Sequence, residues 1–401
     1  MARLAPAGCR SHSSIREEAV MLSAVKRLTE RELISEVVRI AEIPSPTFEE
    51  AARANYVREA FLEAGLDACI DLAGNVVGRI RGKEEQPPVV LAAHIDTVFA
   101  RGVDVKTRCE GGVLHGPGVL DNSASVAALV HIARSAWQTS WTPARDIYLV
   151  GTVGEEGSGD LRGMRHLVPA MPVRPSAVIV VDGHLGELVN VGVGSRRFEL
   201  AVKAPGGHSW QDYGTPSAIH VLTTLASEIL ELQVPKQPRT ALNIGTFTGG
   251  TGVNVIAERA LLSLDIRSVA QSEVDRLANA VEQIVNSGSF ANDVHVEITI
   301  IGERPAGGIA PDHPLLSLAK SALASEGFSS KLVAHSTDAN IPFAAGIPTV
   351  ATGVANGEGI HTLQEHLFVS SLGKGVRQLA TLVETLSSER SADPRISAEQ
   401  G

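Results

Sequence analysis

Two histidines and three carboxylates in this chain have the types and placement of a metal-binding set: His94, Asp121, Glu156, Asp182 and His361. Four of the five follow a short apolar run. Residues 89–93 lead into His94-Ile-Asp96-Thr, 147–153 into Gly154-Glu155-Glu156-Gly157, and 177–181 into Asp182-Gly183. A run of weaker β character, 348–351, precedes Gly357-Glu-Gly-Ile-His361-Thr, and a glycine-rich turn, residues 116–121, delivers Asp121. Imidazoles and carboxylates together suit zinc, and also manganese or cobalt. Five such ligands are enough for two ions if one carboxylate bridges. Two ions can polarise a carbonyl and lower the pKa of a water, and Glu155 is then placed to act as general base. Asp96 is placed to orient His94. Taken singly the residues are ordinary: Asp121 could cap a helix, Asp182-Gly183 could be a turn, and Glu155-Glu156 a solvated face. Packing alone does not explain why all of them gather at the exits of strands.

The elements that must position these residues are strands alternating with helices, the pattern of a parallel sheet covered on both faces. Ligands of such sheets bind beyond the carboxyl ends of the strands. Residues 123–137 read as a helix. Thr29 with Glu32, and Thr47 with Glu50, match capping boxes. Each opens a helix, the second running to about Ala64 and stopping at Gly65, and Ile-Pro-Ser-Pro at 43–46 breaks the chain between them. From 195 to 302 the rhythm changes to strand 198–203, helix 216–232, strands 241–248 and 260–268, helix 273–285 and strand 294–301. That βαββαβ order could fold around its own core. The expected organisation is an α/β catalytic domain of residues 21–194 and 303–390, with residues 195–302 inserted as a second domain. Residues 1–20 read as a disordered tail or an upstream start preceding Met21, and 391–401 as a loose tail.

Composition narrows the partners. The chain has 401 residues, which favours two domains, with 44% hydrophobic and 4% aromatic residues. Its formal charge is −10 with no basic run, so nucleic acid is a poor partner. Cys9, Cys69 and Cys109 are odd in number and scattered, giving neither a disulfide framework nor a CxxC pair, which points to a reducing cytoplasm. No apolar run approaches the roughly 18–20 residues of a membrane span, and the first twenty residues lack the apolar stretch of a signal peptide. There is no GxSxG elbow, Walker loop or GxGxxG after a strand.

On these residues the chain resembles the M20 metallopeptidases, from about Leu28 to Leu386. His94-Ile-Asp96-Thr-Val, Gly-Val-Leu-Asp121-Asn, Gly-Glu155-Glu156-Gly, Asp182 and His361-Thr-Leu-Gln-Glu365 match the family's motifs in order. The resemblance implies that one metal takes His94 and Asp182, the other Glu156 and His361, and that Asp121 bridges. It implies that 195–302 is a lid and dimerisation domain. There Gly206-Gly-His208-Ser would carry a histidine into the active site of a second subunit to stabilise the oxyanion. Gly249-Gly-Thr-Gly-Val-Asn254 and Asp265-Ile-Arg267 would hold polar groups of the substrate. By alternation alone Arg267 could equally be a solvent-facing strand arginine. The chain departs from the family pattern at Pro117, at Ser123-Ala124 and in lacking Pro after His361-Thr. Asp rather than Glu at 182 goes, within the family, with aminopeptidases and dipeptidases. The implied function is a homodimeric enzyme with two divalent ions, zinc foremost, that cleaves small peptides near a free amino terminus. An N-acyl amino acid deacylase is the alternative.

Overall fold

The apolar run at 89–93 becomes strand Val89–His94, buried at every residue. Burial on both faces is what a central strand of a covered parallel sheet requires. Its neighbours Ile147–Thr152 and Ala177–Val181 pair with it in parallel, and Thr349–Thr352 extends the parallel set beyond Ala177–Val181. These four form the middle of a nine-stranded sheet. Antiparallel strands Asp67–Ile70 and Val76–Ile80 finish one edge. Glu187–Gly192 continues the other, pairing antiparallel with Gly307–Gly308 and parallel with Lys331–His335. The coordinates, a computed structural model, describe residues 20–288 and 290–388. Apart from Val20, the tails expected at 1–20 and 391–401 lie outside the described residues.

Helix Ala124–Gln138 packs into the core and is buried on nearly all sides, with Val126, Leu129, Val130 and Ile132 fully shielded. Its N-cap is Ser123, so Asp121 is free of a capping role. Helix Glu30–Ala41 begins with the capping box of Thr29 and Glu32. The box expected from Thr47 and Glu50 does not form before Ala51–Glu63. Thr47 instead donates its hydroxyl to Asp96 at 2.9 Å, and Glu50 accepts from Phe48 N and Arg162 Nη2. A hydrogen bond to a buried carboxylate outcompetes one more contact at a solvated helix end.

Strands Gly194–Lys203, Thr240–Gly249, Arg259–Ser268 and His295–Arg304 form a separate antiparallel sheet. With helices Ala218–Leu230 and Gln271–Ser287 the order is βαββαβ. Both helices cover one face. Phe198, Leu200, Leu262, Leu264, Leu277 and Val281 meet there in a core distinct from that of the large sheet. Each large side chain buried in this way contributes about 1.5–3 kcal/mol. Alternation puts Arg197, Asp265 and Arg267 on the opposite face. Among the described residues no helix is long and apolar enough to cross a membrane.

Candidate metal centre and active site

The parallel strands deliver their terminal residues to one edge. His94 ends Val89–His94, Glu155 and Glu156 follow Ile147–Thr152, and Asp182 follows Ala177–Val181. Asp121 arrives on the turn before Ala124–Gln138. Gly118 has φ 74 there, and a Cβ would meet Thr97 Cγ2 at 3.0 Å, so glycine is needed for both reasons. The N–H groups of Gly118, Leu120 and Asp121 donate to the Glu365 carboxylate at 2.9, 2.8 and 2.9 Å. Asn122 ties the same turn to Val181 O. His361 comes from the loop that also carries Glu365, with a left-handed φ of 65. One buried glutamate therefore locks the Asp121 turn to the His361 loop.

Asp121 lies at the centre. Its Oδ1 is 2.9 Å from His94 Nε2 and its Oδ2 is 3.1 Å from His361 Nε2. Glu156 Oε1 is 3.0 Å from the same nitrogen of His361. Among the described residues three groupings could hold a cation, and two of them contain Asp121: His94 with Asp121 and Asp182, and Asp121 with Glu156 and His361; in each, the ligand atoms lie within 4.8 Å of one another. Asp121 belongs to both. The donor set, imidazole nitrogens and carboxylate oxygens, fits divalent zinc-like ions. A third grouping, His94 with Glu155 and Glu156, overlaps the first two.

The electrostatics record the crowding. Burial, then the neighbouring Asp121 charge, pushes Asp182 up to about 7. Burial drives Glu155 well above the usual carboxylate range, against the pull of Arg304. Asp121 goes the other way: burial opposes it, but its bonds to His361 and His94 hold it low. His361, bonded to Asp121 and Glu156, is raised to about 10. Four carboxylates within one buried pocket favour a bound positive charge.

Asp96 is fully buried and does more than orient His94. Its carboxylate accepts from the backbone N–H groups of Glu155 and Glu156, both at 3.0 Å. His94 Nδ1 lies 3.1 Å from the Asp96 carbonyl and 3.6 Å from its carboxylate, which leaves Nε2 facing the centre. One residue thus holds both, the imidazole by its backbone carbonyl and the turn of two glutamates by its carboxylate.

The cleft over this centre has a volume of about 500 Å³, and Arg197, Arg267 and Arg304 line it alongside the ligand candidates. Arg304 pairs with Glu155 at 3.0 Å, both side chains nearly buried. The Asp338 carboxyl accepts from Thr152 just behind the site. Sequence reading singled out neither Arg304 nor Asp338. Arg304 is one more charged residue at a strand end, and Asp338 sits in a loop without a motif. His208 and Asn254 do not line this cleft. His208 lies on a small exposed ribbon, Gly207–His208 paired with Val255–Ile256, and Asn254 in the turn just before Val255. There His208 Nδ1 accepts from Trp210 N and Gln211 N at 3.2 and 3.4 Å, and Ser209 N donates to Asn254 O. A second cavity of about 500 Å³, on the smaller domain beside Thr248, Val255 and Leu261, contains none of the candidate ligands.

A mainly parallel sheet that gathers carboxylates and histidines at one edge, with a second sheet domain inserted, defines a class of hydrolases. The chain belongs to peptidase family M20/M25/M40, whose family model matches residues 90–385. It is a hydrolase acting on peptide or amide bonds. Among similar proteins is "Uncharacterized protein YqjE" of Bacillus subtilis, 24% identical over 377 residues, with 89% of this chain and 99% of that protein covered. A succinyl-diaminopimelate desuccinylase of Corynebacterium glutamicum is 25% identical over 284 residues, 68% of this chain and 74% of that protein. Among solved structures, aminopeptidase PepT of Bacillus cereus superposes with a TM-score of 0.74 at 21% identity, covering 90% of this chain and all of that one.

Proposed function

We propose that the protein is a cytoplasmic two-metal exopeptidase that removes the amino-terminal residue from di- or tripeptides. The observation that carries this reading is Asp121 set between His94 and His361, with Glu155 beside them. His94 and Asp182 would hold one ion, Glu156 and His361 the other, with Asp121 shared; zinc, manganese and cobalt all suit these donors. When bound, the ions would polarise the scissile carbonyl and acidify the attacking water. Glu155 takes a proton from that water and passes it to the leaving nitrogen, which departs as a neutral amine. Asp96 fixes the turn that carries Glu155. Arg267, on the cleft wall, binds a polar group of the substrate; Asn254, for which the same role was expected, lies outside the cleft beside His208. Residues 21–194 and 303–390 form the catalytic unit, and 195–302 the lid.

The desuccinylase relative and the arginine-lined cleft favour a second reading, an N-acyl amino acid deacylase. Unblocked peptides should be hydrolysed with kcat/KM at least about tenfold above the same peptides acetylated at the amino terminus, since an unmatched group at a specific polar subsite costs that much or more. A panel of free peptides, acetyl-peptides and succinyl-amino acids with each metal decides it. Preference for the acylated compounds makes the enzyme a deacylase.

His208 is exposed and lies outside its own chain's cleft, which suits a role in a second subunit of a homodimer. His208→Ala should lower turnover about 10²–10³-fold, the worth of one oxyanion donor. Mixing His208→Ala with Glu155→Ala under subunit exchange should restore activity, because one site of each mixed dimer is then intact. Exchange without recovery rules out action in trans.

A further inference from the structure

A small four-stranded sheet carries two histidines that the reaction above does not use. Its strands are Arg108–Glu110, Val113–His115, Gly357–Glu358 and His366–Phe368. His115 and His366 stand directly opposite each other in the antiparallel ladder. Beside them Gly116 N donates to Glu365 O at 3.0 Å, so that neighbouring pair is the hydrogen-bonded one. The two histidines therefore form the closer, non-bonded kind of pair, with side chains next to each other. Leu114 and Leu367 are fully buried, which turns both imidazoles to the opposite, outer face. Both histidines are half-buried, and neither lines the cleft.

The ring centroids are 5.3 Å apart. An ion bonded at about 2.1 Å to one nitrogen of each ring lies about 3.2 Å from each centroid, and a tetrahedral angle then sets the centroids about 5.2 Å apart. Packed aromatic rings take similar distances, so the nitrogens decide between the two roles. His366 Nδ1 lies 3.1 Å from Gln364 O. A carbonyl only accepts, so Nδ1 carries the proton and the Nε2 lone pair is free, the usual arrangement of a metal-ligating histidine. Among the described residues neither ring nitrogen of His115 has a hydrogen-bond partner. The charges agree. Arg108, opposite His115, is paired with Glu110 at 3.4 Å. Glu358, opposite His366 on the other side, is exposed and has no ion-pair partner among the described residues.

We propose that His115 and His366 form a separate site for a divalent transition-metal ion, with water or Glu358 in the remaining positions. Copper, nickel and zinc are the ions that favour imidazole nitrogen. The site staples together the two strands from which the Asp121 turn and the His361 loop extend. His115 leads directly into that turn, and His366 follows Glu365, which holds the turn by the N–H groups of Gly118, Leu120 and Asp121. An ion across the pair resists separation of the turn from the loop. The site stands on its own residues and does not depend on which amide bond the enzyme cleaves.

The probe is copper(II) held by nitrilotriacetate, a chelate that leaves positions open for a pair of imidazoles and is too large to seat among the ligands around Asp121. Titrated into the metal-loaded full chain in a calorimeter, it should bind at one equivalent. His115→Phe and His366→Phe keep a ring on each strand, and each should weaken binding about tenfold or more, as the loss of a ligand requires. If His366→Phe fails to fold by circular dichroism, His366→Gln takes its place. A wild type that takes up no chelate overturns the proposal. So does a variant on either strand that binds as the wild type does, because the copper then sits on another histidine. Hydrogen exchange reads the staple separately. With free chelate at about 100 times its Kd, the amides of Gly118, Leu120 and Asp121 should exchange up to about a hundredfold more slowly in the wild type, and at an unchanged rate in the variants. Binding without slower exchange at these three amides overturns the staple.

Discussion

Replacing Glu155 with Gln should lower turnover about 10²–10⁴-fold and leave metal content at the wild-type level. The choice of Gln follows from Arg304. The two side chains pair at 3.0 Å and are both nearly buried. Removing one partner of such a pair leaves the other charge stranded, at a cost of about 3–5 kcal/mol. Glutamine keeps an oxygen for Arg304, so the turn stays in place. Asp96 anchors that turn through backbone N–H groups, which the substitution does not touch. What disappears is the ability to carry a proton between water and leaving nitrogen. The competing assignment is concrete, because Glu155 also belongs to a possible ligand group with His94 and Glu156. Elemental analysis of the purified variant separates the two roles. A base leaves both ions bound while kcat falls; a ligand takes an ion away with the activity. Loss of metal together with activity would reassign Glu155 to the coordination sphere.

The parts of this molecule that were legible in the sequence are those where a local pattern has one physical meaning. A run such as 89–93, short and apolar without alternation, has the pattern of a strand covered on both faces, and it forms Val89–His94. The rule that parallel strands present chemistry at their carboxyl ends then pointed to His94, Glu155, Glu156 and Asp182, and those residues meet at one edge. The illegible parts depend on partners far along the chain. Thr47 has the spacing of a helix cap, but Asp96, 49 residues on, takes its hydroxyl. Glu365 looks like the tail of a histidine motif, and its work is to hold N–H groups some 245 residues earlier. Arg197 and Arg304 read as ordinary strand arginines, because alternation tells which face a residue occupies and not what lies opposite. His208 is placed by its neighbours in sequence, its N–H donating to Asp212 and its imidazole accepting from Trp210 N and Gln211 N, and none of these contacts lies in the cleft.

Asp121→Ala should empty the centre of both ions and bring activity below detection, whereas His94→Ala should keep about one ion per chain. The reasoning is geometric. Each oxygen of Asp121 faces a different imidazole, at 2.9 and 3.1 Å, and the residue belongs to two of the three groupings among the described residues that could hold a cation. His94 belongs to only one of the two groupings that include Asp121. Removing a shared carboxylate takes a ligand and a negative charge from both positions at once. It also leaves Asp182 and Glu156 without the group that sits between them. The fold should survive the change, because the Asp121 turn is held by backbone N–H bonds to Glu365 and by Asn122 to Val181, not by the Asp121 side chain. Asp121→Asn serves as a second variant, since it keeps the shape and removes only the charge; it should lose metal nearly as fully. Metal content after dialysis, read beside the circular dichroism of each variant, gives the answer. Equal retention in Asp121→Ala and His94→Ala, with both proteins folded, would mean that Asp121 serves one ion and that the centre has no bridge.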